Sequence, residues 1–239
     1  MDFSHKPVML EQCISMLNIK PDGIYYDGTA GGGGHSAAIA AKLSTQGRLV
    51  CFDRDSDAIS VCRERLTGFA PDIQIKKANF SDAASVLNEM GVYGIDGAIL
   101  DLGVSSRQLD CAERGFSYSK SAPLDMRMDK SAALSAFEVV NEYSETNLAE
   151  IIFKYGEERF ARKIASFIVR ERQKCKICDT VTLAEIIKSA IPASMRRSGG
   201  NPAKRTFQAI RIEVNGELAV LPEAVNSLIS LLNHGGRLA

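Results

Sequence analysis

Two aspartates, each closing an apolar run, frame the part of this sequence best suited to chemistry. Asp27 ends Ile24-Tyr-Tyr-Asp27 and opens the run Asp27-Gly-Thr-Ala-Gly-Gly-Gly-Gly-His35; Asp53 ends Arg48-Leu-Val-Cys-Phe-Asp53. A strand, a glycine-rich turn and a helix present backbone amides to an anion, because glycine accepts positive φ and lets a ligand approach the chain. A tight structural turn explains many such patterns, so the neighbouring residues decide. No Gly-Lys-Ser/Thr follows, which disfavours a nucleoside-triphosphate loop. Asp53, at the end of a second strand, is placed to accept both hydroxyls of an adenosine ribose. Asp27 would repel a dinucleotide pyrophosphate but suits a ligand with a cationic end.

S-adenosylmethionine matches that demand, with a ribose, a carboxylate, an ammonium and a sulfonium. The loop amides take its carboxylate, and Asp27 takes the cationic end directly or through water. A nicotinamide dinucleotide is the close rival. His35 either donates to the cofactor carboxylate or caps the helix. Phe80 either stacks on the adenine or packs the next helix. Asp101 follows a fourth apolar run, Ile95 to Asp101, on the edge that faces the methyl group in such a sheet. An acceptor there would hydrogen-bond an aromatic amine and draw its lone pair out of the ring for attack, the remaining work being alignment. The other role of Asp101 is to hold the cofactor, and that role is slightly favoured. Gln108, in the following loop, reaches either ligand. Each of these side chains also has a plain alternative, that it orders a glycine-rich loop.

The elements that must position these residues alternate. A helical period runs from Val8 to Leu17, strands cover Ile24–Asp27, Arg48–Asp53, Ile73–Ile75 and Ile95–Asp101, and helices cover 36–43, 56–66 and 82–90, with Asp55 or Ser56 and then Ser81 as caps. Strands separated by single helices indicate a parallel, doubly wound α/β sheet. The alternation then stops. Residues 102–120 read as a long Gly/Ser loop, and 132–143, 146–155, 157–174, 182–190 and 203–215 all read as helices. A helical domain inserted after the fourth strand follows, with boundaries at 107–215 inside a sheet domain of 1–106 and 216–239. Pro222 opens a last helix that reaches about Asn233, where Gly235-Gly236 ends it and Arg237-Leu-Ala239 starts a strand.

With 239 residues and 45% hydrophobic composition the chain can bury a sizeable core. It contains no run long and apolar enough to span a membrane and no basic-then-apolar leader at its start, so a cytoplasmic location is the default expectation. Cys175-Lys-Ile-Cys178 has the spacing of half a zinc site, but nothing completes it, and no metal is expected. Lys+Arg and Asp+Glu balance at 29 each, yet the basic residues concentrate between Arg114 and Arg211. That asymmetry suggests a module facing a polyanion, or else basic helix surfaces that are simply solvated.

Several runs then match a known family. They are His5-Lys-Pro-Val, Asp22-Gly-Ile-Tyr-Tyr-Asp-Gly-Thr29, Gly33-Gly-His-Ser36, Phe52-Asp-Arg-Asp55, Leu100-Asp-Leu-Gly-Val-Ser-Ser106, Gln108-Leu-Asp110, Glu113-Arg-Gly-Phe-Ser117, Pro123-Leu-Asp-Met-Arg-Met-Asp129, Tyr155-Gly-Glu-Glu-Arg-Phe160 and Lys204-Arg-Thr-Phe-Gln-Ala-Ile-Arg211. The chain resembles the bacterial 16S rRNA cytosine-N4 methyltransferase family (RsmH/MraW). The resemblance implies a class I, Rossmann-like S-adenosylmethionine-dependent methyltransferase fold with an inserted all-helical domain. It implies methylation of the exocyclic N4 amine of a cytidine in the small ribosomal subunit, and cofactor contacts at Gly33, Gly34, His35, Asp53, Phe80, Asp101 and Gln108. Family members continue beyond Gly-Gly-Arg-Leu, so the chain reads as C-terminally truncated, with the last sheet strands missing and the fourth strand poorly covered on one side.

An rRNA partner fits the basic segment, with Arg162-Lys163, Arg196-Arg197 and Lys204-Arg205 as phosphate contacts and Phe116, Tyr118 and Phe207 as base-stacking candidates. A target base in structured RNA must be exposed or flipped to reach the methyl, so an assembled particle is a plausible substrate. Two rivals stay open: a nicotinamide-dependent oxidoreductase, and a non-catalytic RNA-binding or assembly protein built on the same fold.

Overall fold

The computed structural model describes residues 7–196 and 201–239. His5, Lys6 and Arg197 therefore lie outside the described residues, as does the side chain of Arg196. The chain divides into two compact units, one of residues 1–105 with 218–239 and one of 106–217.

The first unit is a parallel five-stranded sheet with helices between its strands. Its elements are α1 (Leu10–Leu17), β1 (Ile24–Asp27), α2 (Gly34–Ala40), β2 (Arg48–Asp53), α3 (Ser56–Arg65), β3 (Asp72–Lys77), α4 (Ala83–Glu89), β4 (Ile95–Ile99), α12 (Leu221–Leu231) and β5 (Leu232–Leu238). The strand order is β3-β2-β1-β4-β5, every pairing parallel. Leu49, Val50, Cys51 and Phe52 are all fully buried, as expected for a central strand covered on both faces. On one face Tyr25, Ile39, Leu49 and Cys62 join Leu17; on the other Tyr26, Val50, Phe52 and Ala98 join Leu87 and Leu228. Tyr26 and Phe52 meet edge to face at 5.1 Å between centroids. The chain builds β1, β2 and β3 outward and then returns to lay β4 on the other side of β1. The order therefore reverses between β1 and β4, which is where open α/β sheets bind ligands at the carboxyl ends of their strands.

Several local expectations change. The fourth strand has a neighbour: β5 pairs with β4 from Ile95↔Leu232 to Ala98↔Leu238. Gly235-Gly236 does not end the last helix. Helix α12 stops at Leu231, Leu232 is already extended, and the glycines fall inside β5, where the register slips between Ile95 and Gly97 and Gly235 takes φ +77°. Pairing with β4 outweighs the glycines as terminators, and they serve a bulge instead. Ser81 is not the helix cap. Asn79 Oδ1 accepts the Ser81 N–H at 3.4 Å and starts a 3-10 turn, Phe80–Asp82, ahead of α4. Asp55 does cap α3, accepting the Asp57 N–H at 3.0 Å. Strand β4 ends at Ile99, so Asp101 lies in the loop beyond it.

The second unit is helical: α5 (Ser106–Asp110), α6 (Ala136–Glu142), α7 (Glu145–Gly156), α8 (Ala161–Arg172), α9 (Thr180–Ala190), α10 (Ala193–Arg196) and α11 (Lys204–Asn215). Segment 102–120 is thus not all loop, since it holds α5 and a 3-10 turn at Ala112–Arg114. Leu148 and Ile152 of α7, Ile164 and Ile168 of α8, Leu183 and Ile187 of α9 and Ile210 of α11 are fully buried. Helices α7 and α11 approach closely at Gly156, where a Cβ would stand 2.6 Å from the Arg205 carbonyl oxygen. The Pro123–Asp129 run is held by buried polar groups. Arg114 donates to the carbonyls of Arg127 (2.8 Å) and Met128 (3.1 Å). Asn215 donates to the Met126 carbonyl at 2.7 Å and accepts the Met128 N–H at 2.8 Å.

Candidate active site

The carboxyl ends of β1, β2 and β4 converge on the glycine loop, and hydrogen bonds stitch them together. The Gly28 N–H donates to Ile99 O at 3.0 Å, and the Ala30 N–H to Phe52 O at 2.9 Å. Asp27 is 1% exposed; its two oxygens accept the Thr29 N–H at 3.1 Å and the Ser36 hydroxyl at 2.5 Å. Burial pushes this carboxyl up to about 6, against the pull of those two hydrogen bonds. Asp27 therefore orders the loop from beneath. Its expected reach to the cationic end of a cofactor has little exposed surface to work through.

Asp53 is half-buried and orders the loop from the side. Its Oδ2 accepts the Gly31 N–H and its Oδ1 the Asp55 N–H, both at 2.8 Å. Burial raises its pKa, opposed by those backbone donors. The Arg54 backbone also donates to it, and since a carboxylate has about four acceptor positions, some capacity remains for a ligand hydroxyl. Gly33 precedes α2 at φ +76°, a conformation that suits glycine, and a Cβ there would stand 3.2 Å from Cys62 Sγ. Gly34 opens the helix with Pro7 packed across it, so closely that a Cβ would collide with the proline ring. Beside them the loop is open. A Cβ on Gly31 would meet nothing nearer than Thr29 O at 3.8 Å, and one on Gly32 nothing nearer than Val61 Cγ1 at 3.8 Å. The first amides of α2 have no carbonyl one turn back within the helix. An open glycine cradle, a helix start and a half-buried carboxylate with acceptor capacity to spare fit a ligand carrying both a carboxylate and a ribose.

His35 is 6% exposed and neither caps α2 through its side chain nor stands free. Its Nε2 lies 3.2 Å from Val8 O and its Nδ1 3.7 Å from Asp101 Oδ2. A proton on Nε2 satisfies the Val8 carbonyl. Phe80 is 7% exposed, so little of its side chain is open to a ligand. Asp101 is the exposed member of the group, with a side chain 45% accessible. Its backbone is fixed, because its N–H donates to Thr29 Oγ1 at 2.6 Å. Gln108 lies in α5 rather than in a loop, is buried, and belongs to the second unit.

Sequence reasoning did not single out Thr29 and Ser36, although both lie in the quoted motifs. Thr29 joins the β1 loop to the start of the β4 loop, and Ser36 satisfies Asp27. The signal was present: a buried carboxylate beside a glycine loop needs donors, and these hydroxyls are its near neighbours. In the second unit Arg162, Lys163, Lys204 and Arg205 are exposed. Phe116 and Phe207 are core residues, 6% and 4% exposed, and Tyr118 meets Phe207 edge to face at 5.4 Å. Burial removes the two phenylalanines as base-stacking platforms. Cys175 and Cys178 are both exposed, and among the described residues no group of three or more His, Cys, Asp or Glu is placed to hold a metal ion. No helix among them is long and apolar enough to cross a membrane.

Comparison with known proteins agrees with this geometry. The profile of the MraW methylase family matches residues 2–239. "Ribosomal RNA small subunit methyltransferase H 2" of Agathobacter rectalis is 53% identical over 239 residues, which is all of this chain and 76% of that protein. "Ribosomal RNA small subunit methyltransferase H" of Clostridioides difficile (strain 630) is 51% identical over 238 residues, again 76% of its length. Among solved structures, an rRNA methylase from Streptococcus thermophilus aligns at 19% identity and a TM-score of 0.34, over 60% of this chain and 84% of that one. Sequence relatives across the whole length, on a Rossmann-like sheet with its glycine loop at the switch point, decide the matter: the chain belongs to the MraW methylase family.

Proposed function

We propose that the protein transfers a methyl group from S-adenosylmethionine to the exocyclic N4 amine of a cytidine in 16S rRNA of the small ribosomal subunit. The observation that carries this reading is the division of labour among three carboxylates at one sheet edge. Asp27 is buried and spent on the loop, Asp53 is half-buried with acceptor capacity to spare, and Asp101 is exposed on a fixed backbone. The family relationship and the names of the relatives support the reaction class and an rRNA substrate of the small subunit; the cytidine N4 amine follows from the family resemblance.

The cofactor, when bound, supplies an electrophilic methyl group on a sulfonium centre. The chain's residues do the rest. Amides of the Gly31–Gly34 loop that are not already spent on Asp53 and Ala30, with those at the start of α2, would receive the carboxylate; Asp53 would accept a ribose hydroxyl, and Phe80 would border the adenine. Gly33, Gly34, His35 and Gln108 would supply four more of the seven contacts that the family resemblance implies; the seventh, Asp101, is assigned to the acceptor instead. Asp101 accepts a hydrogen bond from the target amine, which favours the pyramidal nitrogen needed for attack, and it is placed to receive the proton that nitrogen then sheds. Positioned acid–base groups of this kind contribute roughly 10²–10⁴-fold.

The test is radiolabelled methyl transfer to small subunits from cells lacking the enzyme, followed by nucleoside analysis. Label is expected in N4-methylcytidine alone. Label in another nucleoside, or cofactor binding without transfer, would reject the reading; the second result would favour an RNA-binding protein. Binding of NADH but not S-adenosylmethionine would favour the oxidoreductase.

A further inference from the structure

Helix starts in the second unit follow two opposite rules. Helices α6, α7 and α9 obey local electrostatics. Ser135 and Glu138 form a capping box, Ser144 caps α7 with Glu145 in its first turn, and Asp179 caps α9. Helices α8 and α11 do the reverse. Neither has a side-chain cap or an acid in its first turn, and both load that turn with exposed cations, Arg162-Lys163 and Lys204-Arg205. Cations beside the positive end of a helix dipole are unfavourable by themselves.

These two starts lie together. Arg205 Nη1 donates to Glu157 O at 3.2 Å in the α7–α8 turn, and Gln208 Nε2 to Tyr155 O at 3.3 Å. Exposed Lys154 and Arg159 flank that turn, with Lys154 Nζ 5.3 Å from the Tyr155 ring centre and Arg159 Cζ 5.1 Å from that of Phe160. Phe153, 66% exposed, stands beside them. Elsewhere in the unit several cations are paired with carboxylates: Arg127 with Asp125, Arg170 and Lys174 with Glu171, Lys188 with Glu185, Arg211 with Glu217. Arg172 bonds two carbonyls, and exposed Lys120 and Lys176 stand without a carboxylate. Among the described residues none of Lys154, Arg159, Arg162, Lys163, Lys204 and Arg205 has a carboxylate partner. Of the acids in that turn, Glu157 is exposed and Glu158 is buried, its Oε1 accepting the Phe160 N–H at 2.9 Å.

Unpaired charge gathered at one end, against local helix preference, is a feature retained for something outside the unit. We propose that the α7–α8 turn together with the starts of α8 and α11 is the surface that docks the phosphate backbone of the RNA substrate. The proposal rests on the reading of the protein as an rRNA methyltransferase. A polyanion is the complementary occupant: phosphates would neutralise the cations and use the helix dipoles, and exposed Phe153 offers a face on which a base can stack.

The experiment measures binding of the chain to small subunits and to protein-free 16S rRNA across a potassium chloride series, together with methyl transfer. The variant replaces Arg162, Lys163, Lys204 and Arg205 by Ala. Each lost phosphate contact lowers the slope of log affinity against log salt by about 0.7–0.9, so loss of all four gives a fall of roughly 3, with about a hundredfold weaker binding at low salt. The KM for subunits should rise with kcat within about twofold. The charge-keeping variant Arg162→Lys, Lys163→Arg, Lys204→Arg, Arg205→Lys should restore the slope, and Lys174→Ala with Lys188→Ala should leave it unchanged. An unaltered slope in a quadruple variant that retains its thermal midpoint and cofactor affinity would overturn the proposal. So would a loss of binding confined to subunits while protein-free RNA binds as before, because the partner would then be an acidic protein surface. Salt-dependent RNA binding by a wild-type chain that transfers no methyl group would reject the enzymatic reading and leave the docking surface standing.

Discussion

The loops that follow β1 and β4 sit side by side at the same sheet edge and are built in opposite ways. The first is tied at successive residues: Gly28 to β4, Thr29 to Asp27, Ala30 to β2, Gly31 to Asp53 and Gly33 to Ala30. The second is anchored where it begins, by the Asp101 N–H on Thr29, and then runs exposed through Asp101, Leu102 and Gly103. A loop whose donors are already satisfied spends little ordering entropy when a ligand arrives. An exposed carboxylate on a pinned backbone keeps its side chain available to a second, larger reactant. On the proposed function, the contrast would separate holding the cofactor from acting on the acceptor.

Four substitutions test that separation. Asp101→Ala should lower kcat by two to three orders of magnitude, within the usual range for a positioned acid–base group, with cofactor affinity within threefold in a titration. Weaker cofactor binding instead would move Asp101 to the holding side. Asp53→Ala should do the converse, weakening S-adenosylmethionine about a hundredfold, the scale of hydrogen bonds to a charged acceptor, while RNA binding stays near wild type. Asp27→Asn probes the buried anchor. Its folded pKa of about 6 lies above its ordinary value of 3.8, so its contribution to stability is fully present below pH 3.8 and lost as pH rises through 6. The wild type should therefore lose on the order of 2 kcal/mol relative to the Asn variant between pH 4 and 7, read as the difference between their denaturation midpoints. Parallel pH profiles would show that Asp27 titrates normally. Thr29→Val should cost about tenfold in kcat with little change in cofactor affinity, since it frees the Asp101 backbone without touching the cradle, and Thr29→Ser should recover most of it. Equal damage from Ser and Val would reduce Thr29 to a packing residue.

How far the sequence was legible depended on whether local or distant partners set the conformation. Strands β1 and β2 were readable to the residue, because an apolar run bounded by Asp has few alternatives in a sheet. The cap of α3 narrowed to Asp55 or Ser56 for the same local reason, and the structure uses Asp55. The glycines of β5 were misleading, because their conformation answers to β4, more than a hundred residues away in the chain. Ser81 lost its expected role to Asn79 two residues earlier, a choice between similar caps that spacing alone does not make. At the site, the types and order of Asp27, Asp53 and Asp101 point to the carboxyl edge of the sheet, and the structure puts all three there. Their unequal burial comes only from the packing around them. Phe116 and Phe207 illustrate the same limit, since a basic neighbourhood suggested stacking and the helical core claims both.

The hydrogen bonds that tie Arg114 and Asn215 to the Met126–Met128 strip fasten the early part of the helical unit to its end. Asn215 thereby closes a stretch of 89 residues, back to Met126, on itself within the unit. Loop-closure entropy grows with the length of flexible chain, so once the clasp has formed, bringing β5 to β4 no longer bears the cost of the whole insertion. Breaking the clasp with Asn215→Ala would therefore be felt at a distance, as slower formation of the last sheet pairing.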